Sequence, residues 1–94
     1  PHDAVANADC VMTDTWISMG KKKSNNETSA FKDFQVNDVL MAKTKNEALF
    51  MHCLPAHRNE EVTDSVIDGE KSIVWQQAKN RMFVQQSILT FILD

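Results

Sequence analysis

Three short apolar runs, set apart by stretches of helical spacing, constrain this chain more than any other feature. They are Cys10-Val11-Met12-Thr13-Asp14, Ala48-Leu49-Phe50-Met51-His52 and Ser72-Ile73-Val74-Trp75. Each is too short for a stable helix and too uniformly apolar for a strand with one wet face. Pro55, the only internal proline, helps to stop the second run. Between the runs, Thr28 or Ser29 is positioned to cap a short helix through Phe31 and Phe34. Asn37 is positioned to cap the next, with Val39, Leu40 and Ala42 facing inward and Lys43 and Lys45 near its end. Thr63 to Ile67 reads as a short helix stopped by Asp68-Gly69. Gln76 to Leu93 is the longest helical stretch, and His2 to Asn7 reads as the end of a helix. Thr15 to Ser29, with Gly20, three successive lysines and Ser24-Asn25-Asn26, reads as a long exposed loop of the kind that carries function. The expected fold is α/β: part of a doubly wound parallel sheet flanked by helices, with three strands here, ending in a long C-terminal helix.

The last helix asks for more cover than three strands supply. Ala78, Met82, Leu89 and Leu93 share one face, and Val84, Ile88, Phe91 and Ile92 widen it, which predicts burial on more than one side. With Pro1 in place of a starting methionine, this favours a piece of a larger protein over a complete small domain. Only 2 glycines occur in 94 residues, which excludes a Gly-rich phosphate cradle. A net charge of −3 argues against nucleic acid as a partner, and no apolar run is long enough to span a bilayer. No secretory signal opens the chain, and Cys10 and Cys53 form no C-x-x-C, so a reducing, cytoplasmic setting is expected.

In open α/β sheets, ligands bind beyond the carboxyl ends of the strands. That rule brings together Asp14 and the following Thr15-Trp16-Ile17-Ser18-Met19-Gly20, then His52-Cys53-Leu54-Pro55, then Lys79-Asn80-Arg81 on the last helix. Asp14 suits a substrate amine, Ser18 a carboxylate or an amine, and Arg81 a phosphate held by two hydrogen bonds. Cys53 could take a proton if its pKa falls below the free value of about 8.5. Each has a structural reading as well: Asp14 as a turn cap, Cys53 as a small core residue, His52 as a core histidine behind the site, Arg81 as a solvated side chain and Trp16 as packing. A zinc site on His52, Cys53 and His57 would need an irregular turn, because adjacent residues of a strand point to opposite sides.

Three motifs, in order along the chain, resemble those of ornithine carbamoyltransferases. Asp14-Thr15-Trp16-Ile17-Ser18-Met19-Gly20 is similar to their D-x-x-x-S-M-G loop, His52-Cys53-Leu54-Pro55 to their H-C-L-P, and Ala78-Lys79-Asn80-Arg81 to the A-E-N-R that opens their last long helix. Glu60-Glu61-Val62-Thr63-Asp64 fits between them. The resemblance implies a partial ornithine-binding domain over residues 1–94, the C-terminal part of a two-domain enzyme whose carbamoyl-phosphate domain is absent from this sequence. That enzyme transfers a carbamoyl group from carbamoyl phosphate to the δ-amine of L-ornithine, giving citrulline and phosphate. By resemblance, Asp14, Ser18 and Met19 bind ornithine; Cys53, Leu54 and Arg81 bind carbamoyl phosphate; and Cys53 is also the catalytic proton acceptor. The loop from Ser18 to about Ser29 closes over ornithine, and the Leu54-Pro55 peptide is cis. No metal or organic cofactor is implied. The whole enzyme would be a cytoplasmic homo-oligomer of arginine metabolism, a trimer or a multiple of trimers.

Two departures stand out. Lys79 replaces the usual Glu beside Arg81, and nothing here resembles the family's S-T-R-T-R phosphate loop or H-x-x-Q motif. The 94 residues alone are therefore expected to be inactive. A carbamoyltransferase for another amine and a non-catalytic amino-acid-binding or interaction module are the alternatives. Cys53 argues against aspartate as acceptor, because aspartate-type enzymes carry Pro there, and Ser18-Met19-Gly20 argues against putrescine or acylated ornithine.

Overall fold

A computed structural model describes residues 1–18, 20–21 and 25–94. Among them, β1 (Cys10–Thr13) and β2 (Leu49–His52) pair in parallel, with Cys10 opposite Leu49 and Thr13 opposite His52. The expected third strand, Ser72 to Trp75, is reduced to one parallel bridge between Ser72 and Phe50. The Phe50 N–H donates to the Lys71 carbonyl at 2.7 Å, and the Ile73 N–H donates to the Phe50 carbonyl at 3.0 Å. Val74, fully buried, then opens the last helix, so packing overrides the β propensity of Ile73-Val74.

The strands are covered on one face only, contrary to the two-sided burial their composition suggests. Side chains alternate along a strand, so Val11, Phe50 and His52 share the buried face, while Met12 and Leu49 on the other are 59% and 41% exposed. The buried face packs on Val36, Leu40, Met41, Val62, Val66, Ile67 and Val74. Lys45 ties the start of both strands together: its N–H reaches the Ala8 carbonyl at 3.2 Å and its Nζ reaches Asp9 at 2.7 Å.

The helices follow their local signals unevenly. Residues 2–7 form turns, not a helix end. Helix α1 (Asn25–Ala30) lies within the stretch expected to be a loop, so Thr28 and Ser29 are helical residues and not caps. A 3-10 turn (Lys32–Phe34) follows, and Phe31 between them stacks on Trp16 with ring centroids 6.1 Å apart, pinning the segment after β1. Helix α2 (Asp38–Met41) starts as expected, with Asn37 Oδ1 accepting the Leu40 N–H at 3.0 Å. Its inward residues are Leu40 and Met41; Val39 is 66% exposed and Ala42 is exposed, correcting two of the three assignments. A helix of about one turn has too little length for a periodic stripe to develop. Helix α3 (Asp64–Ile67) forms where a short helix over Thr63 to Ile67 is expected, starting one residue later, and turns Val66 and Ile67 inward. Gly69 follows its C-cap Asp68, at a position where a Cβ would lie 2.5 Å from the Ser65 carbonyl oxygen.

Helix α4 (Val74–Leu93) departs most from expectation. Val74 is its only buried residue, and Phe91, Ile92 and Leu93 are 87%, 68% and 81% exposed. The helix packs on β2 through its start and then projects. The radius of gyration, 15.5 Å, reflects this, since a compact chain of about 100 residues has about 13 Å. Among the described residues, no helix is long and apolar enough to cross a membrane.

Candidate functional site

The carboxyl ends of β1 and β2 place Asp14 and Cys53 side by side, although 39 residues separate them in sequence. The Cys53 thiol donates to Asp14 Oδ1 at 3.2 Å. The Thr15 N–H donates to the same oxygen at 2.7 Å, and the Thr15 hydroxyl lies 3.5 Å away. Asp14 is thus at once a turn cap, as its bland reading held, and a partner of the thiol. The Cys53 thiol and then the Thr15 N–H hold the Asp14 carboxyl below the usual 3.8. The hydrogen bond to Asp14, then partial burial and the carboxylate charge, push the thiol up from its ordinary value, and the Arg81 charge opposes this only in part.

Arg81 and Cys53 line one groove of about 700 Å³ between the open face of β2 and helix α4. Leu49, Met51, Val84 and Ile88 form its apolar walls, and Asn80 adds an amide beside Arg81. Ser18 is exposed, and its carbonyl accepts the Lys21 N–H at 3.2 Å; among the described residues, no hydrogen bond joins its hydroxyl to Asp14. Met19, together with Lys22, Lys23 and Ser24 of the expected closing loop, lies outside the described residues.

Behind Cys53, the chain turns through an unusual corner. Leu54 has φ 57°, and the Leu54-Pro55 peptide is cis, as expected. A left-handed conformation costs a branched residue about 1–2 kcal/mol, which its surroundings must offset. Two buried side chains hold the corner. The Leu54 N–H donates to His52 Nδ1 at 2.8 Å, so the ring proton sits on Nε2, which donates to Glu61 Oε1 at 2.9 Å. The His57 N–H donates to the same carboxylate oxygen at 2.7 Å. His52 and Glu61 are both fully buried. Gln77, on the first turn of α4, accepts the His52 N–H at 3.1 Å through Oε1.

This arrangement rules out the zinc reading on His52, Cys53 and His57. His52 has no ring lone pair to spare, and the Cys53 sulfur is turned to Asp14. Among the described residues, metal-like spacing occurs at His57, Glu60 and Glu61, with ligand atoms within 4.8 Å of one another. Glu61 Oε1 in that group already accepts two hydrogen bonds.

Residues 1–92 match the family described as aspartate/ornithine carbamoyltransferase, Asp/Orn binding domain. The chain belongs to the aspartate/ornithine carbamoyltransferase family. It is 54% identical over 94 residues to the ornithine carbamoyltransferase of Bradyrhizobium diazoefficiens, covering the whole of this chain and 31% of that protein. The Pyrococcus furiosus ornithine carbamoyltransferase superposes with a TM-score of 0.87 at 48% identity, over 94% of this chain and 28% of its own. The ornithine transcarbamoylase of Giardia lamblia gives 0.89 at 38% identity, over 98% of this chain and 28% of its own. The chain thus spans about a third of the length of the carbamoyltransferases it matches. The two-strand sheet and projecting α4 are one segment of their α/β fold.

Within this carbamoyltransferase segment, the strand-end rule selects Asp14, Cys53 and Arg81, and the structure puts the first two in contact and the last two on one groove. It misses Glu61 and Gln77. Glu61 announces itself only as an acidic residue beside apolar Val62, and Gln77 carries no local signal at all.

Proposed function

We propose that this chain forms the ornithine-binding part of an ornithine carbamoyltransferase, with the carbamoyl-phosphate domain outside the sequence given. The observation that carries the reading is the 3.2 Å contact between Cys53 Sγ and Asp14 Oδ1 at the ends of two parallel strands. It couples a carboxylate suited to the α-ammonium of ornithine to a group able to handle the δ-ammonium proton. Among the described residues, the hydrogen bonds to the Asp14 carboxyl all fall on Oδ1, which turns Oδ2 toward an incoming cation. Ser18 and Met19 join Asp14 from the loop motif. Arg81, on the same groove as Cys53, faces the phosphate and the charge that develops on the carbonyl oxygen. Cys53 and Leu54 lie against the carbamoyl group.

The raised thiol gives the proton step an order. Asp14, through its hydrogen bond to the thiol, favours the protonated form of Cys53. An ammonium bound at Asp14 draws the carboxylate away from the hydrogen bond that chiefly raises the thiol, so the thiol can release its proton to solvent and the resulting thiolate can accept a proton from the δ-ammonium. The δ-nitrogen loses one proton to that thiolate, attacks the carbamoyl carbon, and gives up a second proton to the departing phosphate. Phosphate leaves with the C–O bond electrons. The same reading carries a trimeric, cytoplasmic parent enzyme of arginine metabolism.

The test is a chimera in which this chain replaces the matching segment of the Bradyrhizobium enzyme. Citrulline formation from ornithine and carbamoyl phosphate is expected, with none from the 94 residues alone. A correctly assembled chimera that carbamoylates another amine in preference to ornithine would overturn the reading. Asp14→Asn is expected to raise KM for ornithine about tenfold or more, as loss of a charge-assisted contact implies.

A further inference from the structure

We infer that His52 and the buried Glu61 are positioning residues, a two-member brace that fixes the Cys53-Leu54 corner from behind. The inference rests on the proposed function for its kinetic consequence but not for its geometry. His52 leaves β2 on the buried face, the face opposite the groove, and never reaches solvent. Its two nitrogens are used in series: Nδ1 accepts the N–H of Leu54, and Nε2–H donates to Glu61. Glu61 fixes the tautomer, because a carboxylate facing Nε2 needs the proton there and leaves Nδ1 free to accept. The same carboxylate oxygen takes the His57 N–H, so it grips both the start and the end of the turn. Glu61 is in turn fixed by its backbone, whose carbonyl accepts the Val36 N–H at 2.9 Å.

The chain needs such a brace here. Leu54 sits in the left-handed region, which a leucine does not hold unaided. Cys53, one residue before it, must present its sulfur to Asp14 across the strand ends. Release of the Leu54 N–H would let the corner relax and carry Cys53 away from Asp14. The His52 and Glu61 side chains make no hydrogen bond to Asp14, so the brace acts on the chemistry chiefly through backbone placement, with the His52 ring adding a minor electrostatic pull on Asp14.

Two amide substitutions separate the members of the series. His52→Asn keeps an acceptor near Nδ1 and loses the reach to Glu61. His52→Gln keeps a donor near Nε2 and loses the acceptor for Leu54. Both are made in the chimera, in a background with Cys10→Ser, and compared with the parent in two assays. The first is KM for carbamoyl phosphate against kcat. His52→Gln is expected to raise KM about tenfold, the scale of one lost buried hydrogen bond, while His52→Asn stays within about threefold. The second is the alkylation rate of Cys53 by iodoacetamide near neutral pH, which needs no turnover. His52→Gln is expected to speed it about threefold or more as the thiol leaves Asp14, and His52→Asn to leave it near the parent rate. Equal effects of the two variants in both assays, or a fall in melting temperature with KM and alkylation unmoved, would overturn the brace. If the parent chimera makes no citrulline, the functional reading fails and the alkylation comparison alone decides the inference.

Discussion

Phe50→Ala tests whether the covered face of the sheet is what holds this chain together. Phe50 is fully buried at the centre of β2, between β1 on one side and the Ser72 bridge on the other. A phenylalanine side chain removes about 150–250 Å² from water, worth about 4–6 kcal/mol at about 25 cal/mol per Å². Truncation leaves a cavity that the surrounding core refills only in part, and the expected loss is about 3–5 kcal/mol. A chain of 94 residues has a total stability on the order of 5–14 kcal/mol, so the variant should sit close to unfolding. The same substitution at Phe91, which is 87% exposed, should cost less than about 0.5 kcal/mol. Urea titration followed by tryptophan fluorescence reads both. Hydrogen exchange adds a local check, because the Phe50 and Ile73 amides, which donate to the Lys71 and Phe50 carbonyls, should lose protection first. A loss below about 1 kcal/mol at Phe50, or one at Phe91 that matches it, would refute the assignment of the core to this face.

Gly69→Ala should lower the urea midpoint by the equivalent of about 1–3 kcal/mol, since the new Cβ would lie 2.5 Å from the Ser65 carbonyl oxygen; an unchanged midpoint would contradict the close approach. Arg58, bonded to Asp64 at 2.7 Å and to Asp68 at 2.5 and 3.0 Å, holds both carboxyls below 3.8. A depressed folded pKa contributes stability above the unfolded value that is lost as pH falls through the folded one, so melting curves of the parent and of Arg58→Ala should converge at a pH well below 3.8. Curves that stay parallel down to that pH would remove the ion-pair explanation. Asp14→Asn in a Cys10→Ser background should shift the pH profile of Cys53 alkylation downward, because Asp14 is the main cause of the raised thiol; an upward shift would reverse the proposed coupling.

The parts of the fold that were legible in the sequence are those whose cause is local. Asn37 caps α2 through its own side chain, because caps act within one turn. The parallel pairing of β1 and β2 follows from helical connections between short apolar runs. Ser72 to Trp75 fails as a strand for a non-local reason: Val74 gains full burial by turning into α4, a gain invisible in four β-prone residues. Helix α1 fails in the opposite sense. Asn25 to Ala30 is polar and carries no stripe, yet the stack of Phe31 on Trp16 closes the segment behind it.

The site divides the same way. That Asp14 and Cys53 meet follows from topology, since both end neighbouring parallel strands. How they meet depends on the corner at Leu54, and that corner depends on Glu61, brought back by a turn whose Asn59 also has positive φ, at 63°. No short-range pattern encodes that return. Sequence reasoning could therefore assign a carboxylate and a thiol to one crevice without fixing which held the proton. The sheet then separates the two duties. Phe50 and His52 face the covered core, whereas Leu49 and Met51 line the open groove with Cys53 and Arg81. Alternation along four residues of β2 thus places the brace on one side and the chemistry on the other. Substitutions on the first side should act on placement and stability together, and those on the second on substrate handling alone.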